Sequence, residues 1–393
     1  MPTLRVGLAG SQFAARFHWD GWRRVYGTDV EVVGVTSRSS AACDAFARER
    51  GIRSFKTFED LCACVDVVDL CTPPSSHESL AIQALRSGKH VVIEKPLTGY
   101  FGPANPDFHG DRFSKETMLR EALGSCDRIL DAARSSGKRV CYAENWIYAP
   151  AVQKEREILA RTGGQVLWMS GEQSHSGSHS PYYGSWRFSG GGSMVGKGCH
   201  PLSAALYLKR VEGQTRNGIP IRPATISART HQITRLASYR DEGFLRTSYE
   251  DVEDYAQLHI TFGDGTVADV FSSELVLGGV RNWLEVVCNN HRTRCNLNPI
   301  DALETFNPRE DLLHEVYITE KLGTKQGWMR PAPDEAWQHG YPQEFQDFAE
   351  SIDRGREPLS GLALARDTLA TIYAGYLSAE RNGAEVIIPG LQD

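Results

Sequence analysis

The sequence lacks a basic block. Its 393 residues hold 43 Lys and Arg against 49 Asp and Glu, a formal charge of -6, with no basic cluster interleaved with aromatics. That argues against a nucleic-acid partner. No apolar run approaches the ~20 residues that a membrane-crossing helix needs, so no membrane partner is expected. The opening MPTLRVGLAG runs straight into a strand-like segment without a signal or transit pattern, so the expected location is cytoplasmic. The nine cysteines are scattered, odd in number and without a CxxC pair; Cys62 and Cys64 are too close for ordinary zinc spacing. Cys71, Cys141 and Cys288 lie in apolar runs, where a thiol acts as a small hydrophobe. The expectation is a reduced protein without a metal.

What is present is a regular alternation. LRVGLAG, VEVVGVTSR, VDVVDLCTP, HVVIEKP and RVCYAEN are short β-branched runs, as strands buried on both faces should be. Helical patterns separate them, such as SSAACDAFARERG, which starts on serine and ends on Gly51. Repeated βα units imply a doubly wound parallel sheet over residues 1–143. A Gly/Pro/Asn/Asp-rich insertion at 98–114 breaks the rhythm directly after a strand, as a lid or as a surface insertion. From about residue 144 longer strand-like segments follow, and FGDGT between two of them is a hairpin signal. The expected architecture is α/β: an N-terminal Rossmann-type sheet, then an α+β domain over 144–393. That second domain should carry a large, mainly antiparallel open sheet and closing helices within 342–382.

The first strand–helix junction, VGLAGSQFAARFH, has the place of a dinucleotide fingerprint but not its full pattern. Gly10, Gln12 and Ala15 occupy the frame, so the central glycine is missing. Gly10, Gln12, Phe13 and Ala14 are the candidates for holding a pyrophosphate at the helix start. The second strand ends without the acid that usually bonds an adenosine ribose. Ser37 and Arg38 stand there, which suits a 2′-phosphate and favours NADP over NAD, unless Arg38 only covers the adenine.

Two further strand ends carry CTPPSSHESLA and VIEKPLTG, and SGGGSMVGKGCHPL follows later. With Gly10 and His18, the T-P-x-x-x-H of Thr72, Pro73 and His77, the E-K-P of Glu94, Lys95 and Pro96, and the GGG…G-x-H of Gly190 to His200, the chain resembles the Gfo/Idh/MocA family of NAD(P)-dependent oxidoreductases. The resemblance implies that Thr72, Pro73, His77 and Glu94 line the cofactor edge, that Lys95 lies beside the nicotinamide and the reacting hydroxyl, and that His200 exchanges the proton. It also suggests a cis Lys95–Pro96 bond and a homo-oligomer, dimer or tetramer, built on one sheet face. The chemistry agrees: oxidising a secondary alcohol needs a base whose pKa lies near working pH, which histidine meets unaided. Trp186 and Arg187 are cofactor candidates, with Trp186 equally suited to the core. Of the two histidines in SHSGSHSPYY, His179 is the substrate candidate and His175 the solvated one. The glycine triplet is expected to bring the chain close to the cofactor.

The chain also lacks an acid that many of these relatives carry four residues before the helix histidine; Gly196 stands there and Lys197 follows. Pro201 cannot donate to the carbonyl of Lys197, so a kink is expected that either aims Lys197 into the pocket or leaves it in solvent. With Lys197 in the pocket, the small-molecule substrate could be an anion. The expected reaction is oxidation of a secondary ring alcohol of a sugar, glycoside or cyclitol derivative. The alternatives are a carboxylated cyclohexadiene cis-diol dehydrogenase, a redox-cycling glycosidase on the same scaffold, and a non-catalytic NAD(P)-binding sensor.

Overall fold

Five of the apolar runs become strands of one parallel sheet in a computed structural model, which describes residues 3–178, 180–298 and 303–390. The strands are β1 (Leu4–Ala9), β2 (Val30–Thr36), β3 (Arg53–Phe55), β4 (Val67–Leu70), β5 (His90–Glu94) and β6 (Val140–Ala143), in the order β3-β2-β1-β4-β5-β6. Helices α1 (Phe13–Arg23), α2 (Ser40–Arg50), α3 (Phe58–Cys64), α4 (His77–Arg86) and α5 (Lys115–Ser136) connect them. Val6, Leu8, Val67, Val68, Val91, Val92 and Ile93 are wholly buried, as a sheet covered on both faces requires. Ser39 caps α2 by accepting from the N–H of Ala42 at 3.3 Å. The pair β3 and α3 was not foreseen. Three residues at a sheet edge carry too little pattern to read.

A short turn (Asn145–Tyr148) leads into α6 (Pro150–Thr162) and a seven-stranded sheet. Its strands are β7 (Val166–Ser174), β8 (Pro223–His231), β9 (Tyr255–Phe262), β10 (Val267–Ser273), β11 (Arg281–Cys288), β12 (Arg292–Asn296) and, last in the chain, β15 (Val386–Ile387). They run β12-β11-β7-β10-β9-β8-β15, antiparallel except for the β7–β10 pair. The Asp-Gly turn joins β9 to β10, with the N–H of Phe262 donating to Thr266 O at 2.8 Å. A small ribbon pairs β13 (Thr305–Asn307) with β14 (Gly327–Met329). The remaining helices are α7 (Trp186–Ser189), α8 (Cys199–Asn217), α9 (Glu335–Gln338), α10 (Tyr341–Asp353) and α11 (Leu362–Glu380).

One face of the large sheet buries Ala256, Leu258, Ile260 and Phe262, beneath α8 and α11. The other turns Gln257, His259 and Trp168 outward. The closing helices tie the two sheets together. α10 lays Phe345 against Trp22 and His18 of α1, with ring centroids 4.9 Å and 4.8 Å apart. The N–H of Tyr142 in β6 donates to Ser360 O at 2.9 Å, and α11 packs on both α5 and β8.

The insertion at 98–114 is a packed strap. Tyr100 stacks on Phe113 at 5.4 Å, and Phe108 meets the two edge-on at 5.9 Å and 5.5 Å. The N–H of Gly110 reaches across to Asp251 Oδ2 at 2.6 Å. Among the described residues no helix is long and apolar enough to cross a membrane.

Candidate active site

The β1–α1 turn is shaped by close approach. Gly10 has φ +109°, and a Cβ there would lie 2.4 Å from the carbonyl oxygen of Cys71. Only glycine satisfies both demands. The next residue, Ser11, has a buried hydroxyl without a hydrogen-bond partner among the described residues. The start of α1 has no side-chain cap and no acid in its first turn. An uncapped helix start beside an orphaned hydroxyl fits a dinucleotide pyrophosphate. Gln12 and Phe13 are exposed there and Ala14 is half-buried, while Ser37 and exposed Arg38 follow the end of β2. Thr72 and Pro73 follow the end of β4, with Thr72 Oγ1 accepting from Ser76 Oγ at 2.8 Å.

His77 is corrected from a cofactor contact to a brace. It is wholly buried, and its ring nitrogens face Pro96 O at 3.0 Å and Thr72 O at 2.9 Å. It therefore pins the β4 and β5 ends to each other. Glu94 points into the domain as well: its Oε1 lies 3.3 Å from His18 Nε2, whose Nδ1 lies 2.9 Å from Asp69. Burial disfavours a charge on His18, but Asp69 outweighs it and holds the imidazole pKa well above the ordinary value.

Lys95 follows directly, with a cis bond to Pro96. Its ammonium donates to Gly196 O at 2.8 Å and lies 5.7 Å from the Tyr183 ring centroid. Burial works against that charge, yet Tyr183, Cys199, Glu94 and Glu144 outweigh it, and the ammonium pKa is raised. His200 is on α8, four residues after the Gly196 whose carbonyl takes that ammonium. Its Nδ1 is 2.5 Å from Glu144 Oε1, and its ring is stacked 5.9 Å from Trp146. Glu144 is wholly buried and sits just past the end of β6. With the Nδ1 proton on the carboxylate side, Nε2 keeps its lone pair and has no protein partner among the described residues. That is the arrangement of a base held ready for an external proton.

The helix that carries His200 opens irregularly. Met194–Gly198 forms a π-turn, and α8 begins at Cys199. Pro201 is the third residue of α8, and the π-turn directly before it is where the helix takes up a residue without an N–H. Lys197 faces inward, but not as a free cation. Its ammonium is ion-paired with Glu274, and Ser178 Oγ lies 3.3 Å away. The charge proposed to meet a substrate anion is thus already compensated.

Trp186 and Arg187 are corrected too. Trp186 Nε1 donates to Tyr100 O at 3.0 Å, and its ring packs 4.7 Å from Tyr376. Arg187 donates to Pro103 O at 2.9 Å and Asn105 O at 2.5 Å. Both fasten the insertion. The glycine triplet likewise meets protein. Gly192 N–H donates to Glu253 Oε2 at 3.0 Å, Met194 N–H to Oε1 at 2.9 Å, and Tyr376 OH to Oε1 at 2.8 Å. His175 is buried, not solvated. His179 lies outside the described residues.

Sequence reasoning missed Glu144, Glu274, Tyr183 and Glu253. Only Glu144 carried a signal. It follows a parallel strand at the sheet's carboxyl edge, where ligands gather.

Comparison with known proteins agrees with this geometry. Residues 4–104 match the oxidoreductase family with an NAD-binding Rossmann fold, and residues 153–293 match the GFO/IDH/MocA C-terminal domain. UDP-N-acetylglucosamine 3-dehydrogenase of Acidithiobacillus ferrooxidans is 33% identical over 98 residues, 25% of this chain and 30% of that protein. The 4-carboxy-2-hydroxymuconate-6-semialdehyde dehydrogenase of a Sphingobium species is 34% identical over 131 residues, 32% of this chain and 39% of that protein. The chain thus spans about a third of the length of these two curated relatives. The crystal structure of GenD2 from gentamicin A biosynthesis in complex with NAD shares the fold over 99% of this chain and 97% of that one, with a TM-score of 0.78 at 22% identity. With both its halves matched, the chain belongs to the GFO/IDH/MocA family of oxidoreductases.

Proposed function

We propose that this chain is an NAD(P)-dependent dehydrogenase that oxidises a secondary ring alcohol of a sugar, glycoside or cyclitol derivative. The observation that carries the reading is the His200–Glu144 pair, which occupies Nδ1 and leaves Nε2 without a protein partner among the described residues. Gly10, Gln12, Phe13, Ala14, Ser37, Arg38, Thr72 and Pro73 hold the dinucleotide, which supplies a hydride acceptor when bound. Lys95 donates to the reacting hydroxyl oxygen and favours its alkoxide character. His200 Nε2 takes the hydroxyl proton, and Glu144 stabilises the imidazolium that results. The sugar-nucleotide relative supports the substrate class.

Three finer assignments go with it. Exposed Arg38, without an acid at the neighbouring strand end, favours NADP over NAD. The outward sheet face, with Trp168 40% exposed, suits a dimer or tetramer. Glu274 beside Lys197 favours an uncharged substrate over the carboxylated cis-diol. The test is a screen of polyols, glycosides and cyclic diol acids with each cofactor, followed at the reduced-nicotinamide absorbance. Cofactor binding without turnover of any of them would leave the sensor in its place.

A further inference from the structure

Where α6 meets the turn between β11 and β12, a cluster of donor atoms stands outside the proposed reaction. Glu155 of α6 is wholly buried. Cys288 is buried at the end of β11, and His291 follows in the turn, a C-x-x-H spacing. The N–H of Cys288 donates to His291 O at 2.8 Å and closes that turn. One donor atom from each of the three residues lies within 4.8 Å of the other two. The His291 side chain is 16% exposed, so the cluster is not sealed from solvent.

The hydrogen bonds there do not balance without a cation. His291 Nδ1 lies 2.6 Å from Asn290 Oδ1, and Nε2 lies 3.0 Å from Glu155 Oε1. Asn290 Nδ2 donates to Thr162 O at 3.5 Å, which turns the amide oxygen to the ring. A neutral imidazole has one N–H to give. With it on Nδ1, the Nε2 lone pair faces a carboxylate. A second ring proton would settle that contact but not Glu155 Oε2, which is buried and has no hydrogen-bond partner among the described residues. A metal ion answers both and takes the Cys288 sulfur as well. Two similar clusters are otherwise engaged. Glu144, Cys199 and His200 belong to the candidate active site, and both oxygens of Asp69, beside His18 and Cys71, are taken by His18 and Trp22.

We propose that Glu155, Cys288 and His291 bind a zinc ion that ties α6 to the β11–β12 turn, with a fourth position left to water. Carboxylate, imidazole and thiolate together suit Zn²⁺, whereas Mg²⁺ and Ca²⁺ take oxygen ligands. A tetrahedral zinc sets its donors about 3.5 Å apart, so small side-chain movements complete the shell. On binding, the S–H bond of Cys288 breaks, its proton passes to solvent and a Zn–S bond forms. Asn290 orients the imidazole from behind, through Nδ1.

The test takes the full-length chain, freed of metal by a chelator, and titrates it with Co²⁺ and then Zn²⁺. The expected result is a single Co²⁺ per chain, with a thiolate-to-cobalt charge-transfer band and the strong visible bands of a tetrahedral ion. Zn²⁺ abolishes both and raises the melting temperature. Cys288→Ser loses the charge-transfer band, while Cys71→Ser and Cys199→Ser keep it. Asn290→Ala weakens Zn²⁺ binding by about 10- to 100-fold, the usual cost of losing a group that orients a ligand. His291→Ala and Glu155→Gln weaken it further. Melting temperatures of the metal-free variants show which of them fold; if Cys288→Ser does not, the turn variants His291→Ala and Asn290→Ala decide. A wild type that gives no such band overturns the proposal. So does a band that survives in Cys288→Ser, or one that is lost instead in Cys199→Ser, which moves the ion to the active site. Zn²⁺ affinity unchanged in both His291→Ala and Asn290→Ala overturns it too, and leaves His291 and Glu155 as an ion pair.

Discussion

His200 Nδ1 and Glu144 Oε1 meet at 2.5 Å, joining the helix that follows the π-turn to the end of the last strand of the parallel sheet. On the proposed reaction, the contact leaves Nε2 as the nitrogen for the substrate and puts a buried carboxylate beside the imidazolium that would form. His200→Ala should lower kcat by about 10²- to 10⁴-fold, the usual share of a general base. Glu144→Gln should cost less, because the ring stays in place while its charged form loses its support. In both variants the dissociation constant for NAD(P), read by quenching of protein fluorescence, should stay near the wild-type value. A parallel loss of cofactor affinity would assign the pair a structural role.

On the proposed reading Gly10 serves the cofactor, not the proton step. Its φ of +109° and the 2.4 Å approach to Cys71 O leave no room for a Cβ. Gly10→Ala should shift the β1–α1 turn at a cost of about 1–3 kcal/mol. The expected result is weaker NAD(P) binding together with a lower melting temperature. Unchanged binding would mean that the pyrophosphate does not sit on this turn.

Arg38 is a test of cofactor choice that leaves the chemistry alone. It is exposed and has no ion-pair partner among the described residues. Losing a charge-assisted contact of about 1.5–3 kcal/mol should raise the KM for NADP by about 10- to 100-fold in Arg38→Ala. The KM for NAD should barely move. Equal changes for both cofactors would remove the 2′-phosphate assignment.

These residues differ in how far the sequence revealed them. The parallel strands were legible because burial on both faces forces continuous β-branched runs such as VEVVGVT. Lys95 and His200 were legible because each closes a recognisable segment. Glu144 and Glu274 were not, since their meaning lies in partners distant in the chain, 56 residues away for Glu144 and in the π-turn at Lys197 for Glu274. The direction of Lys197 was undecidable for another reason: it depends on a π-turn, and sequence periodicity supplies only the ordinary helical register. His77, Trp186 and Arg187 were read by position in a motif, and it was their hydrogen bonds to backbone carbonyls that changed their roles.

Glu253 gives a pH prediction that needs no substrate. Burial pushes its carboxyl up to about 7, against the hydrogen bonds it accepts from Met194, Tyr376 and Gly192. An unfolded glutamate loses its proton near pH 4.3. Between those values the unfolded chain binds fewer protons than the folded one, so this group's contribution to stability falls as pH rises. The loss amounts to roughly 4 kcal/mol and levels off about one unit above pH 7. Glu253→Gln has no proton to lose, so its slope over this window should vanish. Melting curves from about pH 5 to about pH 8 should therefore show the variant gaining on the wild type as pH rises, then running parallel to it. A constant gap would mean that Glu253 is ionised in the folded protein throughout, held by the N–H groups of the glycine turn.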